Sequence, residues 1–253
     1  MNPNVRNLFL CATAIVVTSC GTVTFTKTGS DAEIESLRSF HLAFIDEFAV
    51  PKKRFNSAAF DAKLNEGNAK FQQAIANEQF TARRPVLIDL KAQFDADAAH
   101  IRTKASRGKI TPALATEMKK TLTRFTIMPS GDKAKRKKSS GNESELDSAL
   151  DQVGHESAAA AMNEFRDLLT HAKGDTTELV RQNANELEQR LILLKQGKID
   201  KEDFDYFVEN QKRDLRVFID SQPAQVQERA ENLTLHVLDI AATKVVPVLL
   251  AAL

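Results

Sequence analysis

Leu191 to Phe218 reads LILLKQGKIDKEDFDYFVENQKRDLRVF. Leu187, Leu191 and Leu194 recur at intervals of three and four, the spacing that places side chains on one face of a helix. Gly197 follows, the residue best able to take the left-handed conformation that closes a helix C-terminus. Asp200 then supplies a side-chain acceptor for a new helix N-terminus. Phe204, Phe207, Val208, Leu215 and Phe218 resume the helical spacing. The stretch therefore predicts helix, turn, helix, with both helices buried on one side.

A similar turn, Gly108-Lys109-Ile110-Thr111, precedes Gly197-Lys198-Ile199-Asp200 by 89 residues. Each lies between two helical patterns, which raises a tandem of two three-helix units. Little identity extends beyond the turn, and shared capping chemistry accounts for the likeness. The second turn also invites a calcium-loop reading. Placing Gly197 at the loop's sixth position puts Ile192, Leu194 and Gln196 where oxygen ligands belong and leaves only Asp203 at the twelfth, so calcium is not expected.

Working outward, the same punctuation divides the rest of the chain. Ser30 and Glu33 form a capping-box pattern ahead of Ile34, Leu37, Phe40, Phe44, Ile45 and Phe48, and Pro51 stops that helix. A second helix spans about Ser57 to Gln79, with Phe60, Leu64, Phe71 and Ile75 on one face. Pro85 opens a third with Leu87, Leu90, Phe94 and Ile101 inward, ended by Gly108. Thr111 and Pro112 open a fourth, with Leu114, Met118, Leu122 and Phe125, ending near Met128 and Pro129. A fifth runs from about Glu145 to Ala172 on Leu146, Leu150, Val153, Phe165 and Leu168. Gly174 and Asp175 separate it from a sixth carrying Val180. The seventh begins at Asp200, and an eighth runs from Pro223 towards Leu253 with a kink expected at Pro247. No strand pattern occurs outside the Thr-rich stretch 21–29. The fold class is all-α, an antiparallel bundle of about eight helices.

Between the halves, residues 130–144 are mostly Ser, Gly, Lys and Arg, too poor in apolar groups to order themselves, and read as a basic flexible linker. The halves are residues 31–129 and 145–253. Lysine and arginine exceed aspartate and glutamate by 9 over residues 21–142, and the balance is −9 over residues 143–253. That asymmetry suits contact with an anionic surface or between the halves. Lys133, Lys135, Arg136, Lys137 and Lys138 form the one dense basic cluster. Without interleaved aromatics it suits lipid head groups or acidic polymers better than nucleic acid.

Fifteen Phe accompany no Trp and one Tyr, so aromatic groups suited to stacking on sugars or bases are nearly absent. The histidines offer two same-face pairs, Asp97 with His100 and Asp167 with His171. The di-iron pattern of helical bundles needs Glu and His three apart twice, with two further Glu residues, and that pattern is missing. These pairs read as solvated helix faces, and no metal or cofactor is expected. No Gly-x-Ser-x-Gly elbow, His-Glu-x-x-His helix, phosphate-cradling loop or dinucleotide fingerprint occurs. The body reads as non-catalytic.

The N-terminus carries Arg6, an apolar run from Leu8 to Val17, then small residues up to Cys20. This is the arrangement of a secretory signal over residues 1–19, too short to span a bilayer. Val17, Thr18, Ser19 and Cys20 resemble the lipobox of bacterial lipoproteins. The resemblance implies cleavage before Cys20, a diacylglyceryl thioether on its sulfur and an acyl group on its amine, with residues 20–30 as a lipidated tether. Several acyl chains at about 0.8 kcal/mol per buried methylene make such anchoring effectively permanent. Gly21, where retention in the inner membrane typically takes Asp, implies the outer membrane. Cys11 lies in the segment to be removed, so the mature chain would hold no free thiol.

These readings converge on a lipid-anchored interaction or scaffold protein of the bacterial envelope, with a protein partner expected. The alternatives are a carrier or sensor of an apolar ligand between helices, and an envelope enzyme. The apolar stretch 245–253 is expected to pack on the bundle, with an oligomer or partner contact, or shallow insertion into the membrane, as the alternatives.

Overall fold

A computed structural model of the chain describes residues 31–51, 54–79, 83–122, 156–175, 178–220 and 231–251. The lipobox with Cys20, the tether, the Ser30 cap, Phe125, the linker 130–144 with its five basic residues, Leu146, Leu150, Val153 and Pro223 lie outside the described residues. Those described are 87% helical, in eight helices with no strand, and the fold is all-α.

Helices α1 (Asp31–Phe48), α2 (Ser57–Asn77) and α3 (Arg84–Ser106) pack pairwise, and α4 (Pro112–Thr121) lies on α1. In the second half, α5 (Glu156–Lys173), α6 (Glu178–Lys195) and α7 (Lys201–Asp220) are joined by α8, which touches all three. The predicted bounds of α2 and α3, the end of α6 ahead of Gly197 and the start of α7 after Asp200 agree with the structure to within about two residues.

The two glycine turns form as their chemistry predicts. Gly108 and Gly197 have φ of 65° and 63°. The N–H of Lys109 reaches the carbonyl of Lys104 and that of Gly108 the carbonyl of Ala105; Lys198 to Leu193 and Gly197 to Leu194 repeat the pattern. Both turns are Schellman motifs, each covered by a buried isoleucine, Ile110 or Ile199. Thr111 then accepts from the Leu114 N–H. Asp200 accepts from the Asp203 N–H while the Asp203 carboxylate accepts from the Asp200 N–H, a reciprocal capping box. Open space surrounds a Cβ placed at Gly197, so Gly197→Ala carries only the left-handed backbone cost. Thermal unfolding should register a loss of about 1 kcal/mol; an unchanged midpoint would mean the turn can relax.

Among the described residues, most of the apolar positions read from the sequence form the core, with Phe44, Phe60, Phe71, Phe94, Phe165, Phe204 and Phe207 fully buried, and Phe40, Phe48, Leu64, Ile75 and Leu168 pack against it partly buried. In the first half the rings fill the centre. Phe44 stands 5.1 Å from Phe60 and 5.0 Å from Phe94, and Phe71 stands 5.1 Å from Phe94, centroid to centroid. Gly67 sits mid-helix, where glycine costs about 1 kcal/mol against alanine. A Cβ there would lie 2.5 Å from Phe94 Cζ and 2.7 Å from Phe40 Cε1, so the glycine makes room for the rings.

Helix α8 is built of a π segment Glu231–Leu235, an α segment His236–Ile240, a second π segment Ala241–Val245 and a final α segment Val246–Ala251. Just ahead of Pro247, where a kink is expected, the backbone widens into a π turn. Val246 donates to the carbonyl of Ala241, five residues back, just before the proline that has no N–H and would crowd a regular turn. Residues Leu233–Ala251 are long and apolar enough to cross a membrane by length and composition. Val237, Leu238, Ala241, Val245, Val246 and Leu249 are nevertheless buried within the bundle, and His236, Asp239, Thr243 and Lys244 line the outer side.

Candidate functional site

Helix α3 is buried on two sides. One carries Leu87, Leu90, Phe94 and Ile101 into the aromatic centre. The other carries Gln93, Asp97, His100 and Lys104, spaced by four, three and four residues, and all four are buried. Helix α7 lies against this polar stripe and meets it with Asp200, Asp203, Tyr206 and Arg213. The reading of Asp97 and His100 as a solvated surface pair is therefore corrected. Polar residues at helical spacing mark an exposed face only while nothing packs there, and here α7 does.

Asp97 is the hub of the seam. Its Oδ1 accepts from Gln93 Nε2 at 2.8 Å and from the Tyr206 hydroxyl. Its Oδ2 lies 2.7 Å from His41 Nε2 on α1, both side chains without exposed surface. That contact is close in distance without hydrogen-bond alignment, since neither atom has a hydrogen-bond partner. Gln93 passes the chain onward by accepting from the Arg213 guanidinium. The single tyrosine of the sequence thus serves the junction of three helices.

His100 Nε2 lies 2.8 Å from Asp203 Oδ1, and its ring stacks on Tyr206 at 4.2 Å and 13°. Lys104 Nζ sits 2.6 Å from Asp200 and 3.0 Å from Asp203. Arg107 reaches Glu202 at 3.1 Å beside them. Burial pushes the Lys104 ammonium down, but its hydrogen bonds to Asp200 and Asp203 outweigh this and hold it above the ordinary lysine range. For Asp200, burial pushes upward and is outweighed by Lys104 and the Asp203 N–H, which hold the carboxyl below the usual carboxylate range. The raised group stabilises the fold below the ordinary lysine value and loses that contribution as pH rises through its folded value. The lowered group stabilises above the ordinary aspartate value and loses its contribution as pH falls through its folded value. The stability difference between wild type and Lys104→Met should therefore be widest across neutral pH, shrinking below about pH 4 and above about pH 10.5. Chemical denaturation across that range tests this, and a difference still growing at either extreme would refute it.

A second junction was not legible as a site. Arg190 on α6 is fully buried. Its Nη2 lies 3.0 Å from Glu186, its Nε 3.4 Å from Glu117 on α4, and its guanidinium carbon 4.6 Å from the Phe207 ring centroid. The charge asymmetry of the halves is partly expressed here: Lys104 and Arg107 of the basic half meet Asp200, Glu202 and Asp203 of the acidic half. Glu117 with Arg190, and Asp89 with Arg213, run the other way.

The seam opens at one edge into a groove of ≈ 590 Å³, with Ala96, Ala99 and Thr103 on α3 and Asn210, Lys212, Arg213 and Arg216 on α7. The other predicted pair stays apart: Asp167 and His171 are exposed, with His171 Nδ1 2.7 Å from the Asp167 carbonyl oxygen. Among the described residues no cluster of three His, Cys, Asp or Glu groups could hold a metal ion. Asp203, weighed as a calcium ligand, instead accepts from the Asp200 N–H at the helix start and pairs with Lys104. No protein-family model, curated protein or solved structure matches this chain.

Proposed function

We propose that the protein is a non-catalytic interaction or scaffold protein of the bacterial envelope, anchored in the outer membrane by acyl chains on Cys20. The observation that carries the anchor is Val17-Thr18-Ser19-Cys20 standing directly behind the apolar run Leu8 to Val17. The non-catalytic reading draws on the use of the buried ionisable groups. His41, Asp97, His100, Lys104 and Asp203 are spent on one another across the seam, an arrangement that neutralises charge and fixes helices instead of activating a nucleophile. A carrier of an apolar ligand would need open space between helices. The Phe rings of the first half occupy that position, and the crevice lined by Ala172, Val180, Leu187 and Val237 is too narrow for a water molecule.

Mass spectrometry of the N-terminus of protein extracted from host envelopes tests the anchor. The expected species begins at Cys20 and carries a thioether-linked diacylglycerol. A free Cys20 thiol, or cleavage elsewhere, overturns it. Crosslinking in the same envelopes should capture a protein partner.

A further inference from the structure

We infer that His41 is held as an imidazolium inside the bundle, and that this buried charge latches α1 to α3, so that the joint loosens as the surroundings turn alkaline. The inference concerns the helical body and stands whether or not Cys20 is acylated.

Asp97 has no exposed surface, and its one ion-pair partner among the described residues is His41. The permanent cations of the seam are engaged elsewhere. Lys104 is held by Asp200, Glu202 and Asp203. Arg213 donates to Gln93 and lies beside Asp89 and Asp214. A carboxylate closed off from water is costly unless a counter-charge stands next to it. His41 Nε2, 2.7 Å from Asp97 Oδ2, is the group placed to supply one. Gln93 and the Tyr206 hydroxyl both donate to Oδ1, and donors aimed at a carboxylate favour its charged form. The proton of the pair therefore resides on the imidazole.

The geometry of the contact agrees. Nε2 and Oδ2 approach closely without hydrogen-bond alignment, and Nδ1 has no partner either. Attraction between opposite charges accounts for such an approach, whereas a neutral ring would gain little from it. The other helices packed on α1 bring no rival charge within ion-pair distance. On α2, Lys63 and Lys70 lie over the Phe40 ring and pair with Glu66. On α4, Glu117 pairs with Arg190 and Lys119 with Asp46. On α3, the perpendicular Phe94 ring at 5.1 Å offers no acceptor, and His100 is taken by Asp203 on α7.

In an unfolded chain a histidine gives up its proton near about pH 6.5. A fold that keeps the proton beyond that point takes one up on folding. Its contribution is complete below about pH 6.5 and is lost as pH rises, the folding equilibrium weakening by up to about tenfold per pH unit. Helix α1 directly follows the proposed tether, residues 20–30, in sequence, so the device acts where the body joins its anchor.

The test uses the full-length protein in detergent, labelled with nitrogen-15 in the histidine rings and assigned through backbone correlations. At about pH 8 the exposed His171 and His236 should give the neutral pattern, and both ring nitrogens of His41 the imidazolium pattern. Asp97→Asn keeps the shape of the side chain and removes the charge that His41 answers. Between about pH 7 and pH 8 the folded-to-unfolded ratio of wild type, from urea denaturation, should fall about fivefold relative to that variant. Amide hydrogen exchange in α1, corrected for the base-catalysed rise common to all amides, should quicken over the same range more than in α6. A neutral His41 ring at about pH 8 overturns the inference, as does the same pH dependence in wild type and Asp97→Asn. Exchange in α1 that quickens no more than in α6 removes the latch. If Asp97→Asn does not fold, the ring resonances and the exchange of wild type decide.

Discussion

Arg190→Met is expected to cost about 3–5 kcal/mol, a large share of the 5–15 kcal/mol that holds an ordinary domain folded. Methionine replaces much of the volume, so the loss is electrostatic at its root. Without the guanidinium, the Glu117 and Glu186 carboxylates, both nearly inaccessible to water, share a low-dielectric space without the cation between them. Lys120 at 3.7 Å from Glu117 and Gln182 at 3.1 Å from Glu186 remain and offset part of the penalty. Adding Glu117→Gln and Glu186→Gln should restore much of the stability at pH 7, because neutral amides need no counter-charge. Urea denaturation of the single and triple variants decides it. A loss below about 1 kcal/mol, or a triple variant no better than the single one, would show that the junction is not held as described.

Cys20→Ala is expected to abolish lipid modification. The thiol is the one nucleophile the lipobox offers for the diacylglyceryl group, and cleavage in front of residue 20 depends on that modification. The variant should accumulate as a full-length precursor with its signal attached, lacking every acyl chain. Metabolic labelling with a fatty-acid analogue should fall to background, and gel mobility should report the retained 19 residues. Normal processing with continued outer-membrane fractionation would reject the lipoprotein reading outright, whatever the body binds.

The parts of the fold that sequence revealed are those whose chemistry is local. Gly108 and Gly197 were legible because a glycine between two helical patterns, with a capping residue three positions on, marks where one helix ends and the next begins. Asp200 was legible because a capping acid acts within three residues of itself. Leu87, Leu90, Phe94 and Ile101 were legible because apolar spacing reports a buried face whatever covers it. Gln93, Asp97, His100 and Lys104 obey the same spacing with the opposite polarity, which is how a solvated face is written. Only the arrival of α7, about a hundred residues later in the chain, turns that stripe into an interior. Arg190 and Glu117 were missed for the same reason, being 73 residues apart. The one signal in the sequence was Tyr206, a lone amphipathic aromatic among fifteen phenylalanines. A hydroxyl on a mostly buried ring needs a partner, and Asp97 is that partner.

The end of α3 and the start of α7 meet with a fixed polarity. Lys104 lies in the last turn of α3, where the macrodipole is negative, and Glu202 and Asp203 lie in the first turn of α7, where it is positive. Each charge is complementary to its own helix before it is complementary to its partner. Exchanging acid and base across the joint would preserve every ion pair and set both groups against their backbones, so the direction of pairing is prescribed by the peptide dipoles. Lys104 and Asp203 are also shielded from dissolved ions, which screen exposed charges over about 8 Å at physiological ionic strength and act far less on buried ones. The joint is thus a salt-tolerant connector, a property that the proposed envelope location, where the surroundings and not the cell set the ionic strength, would put to use.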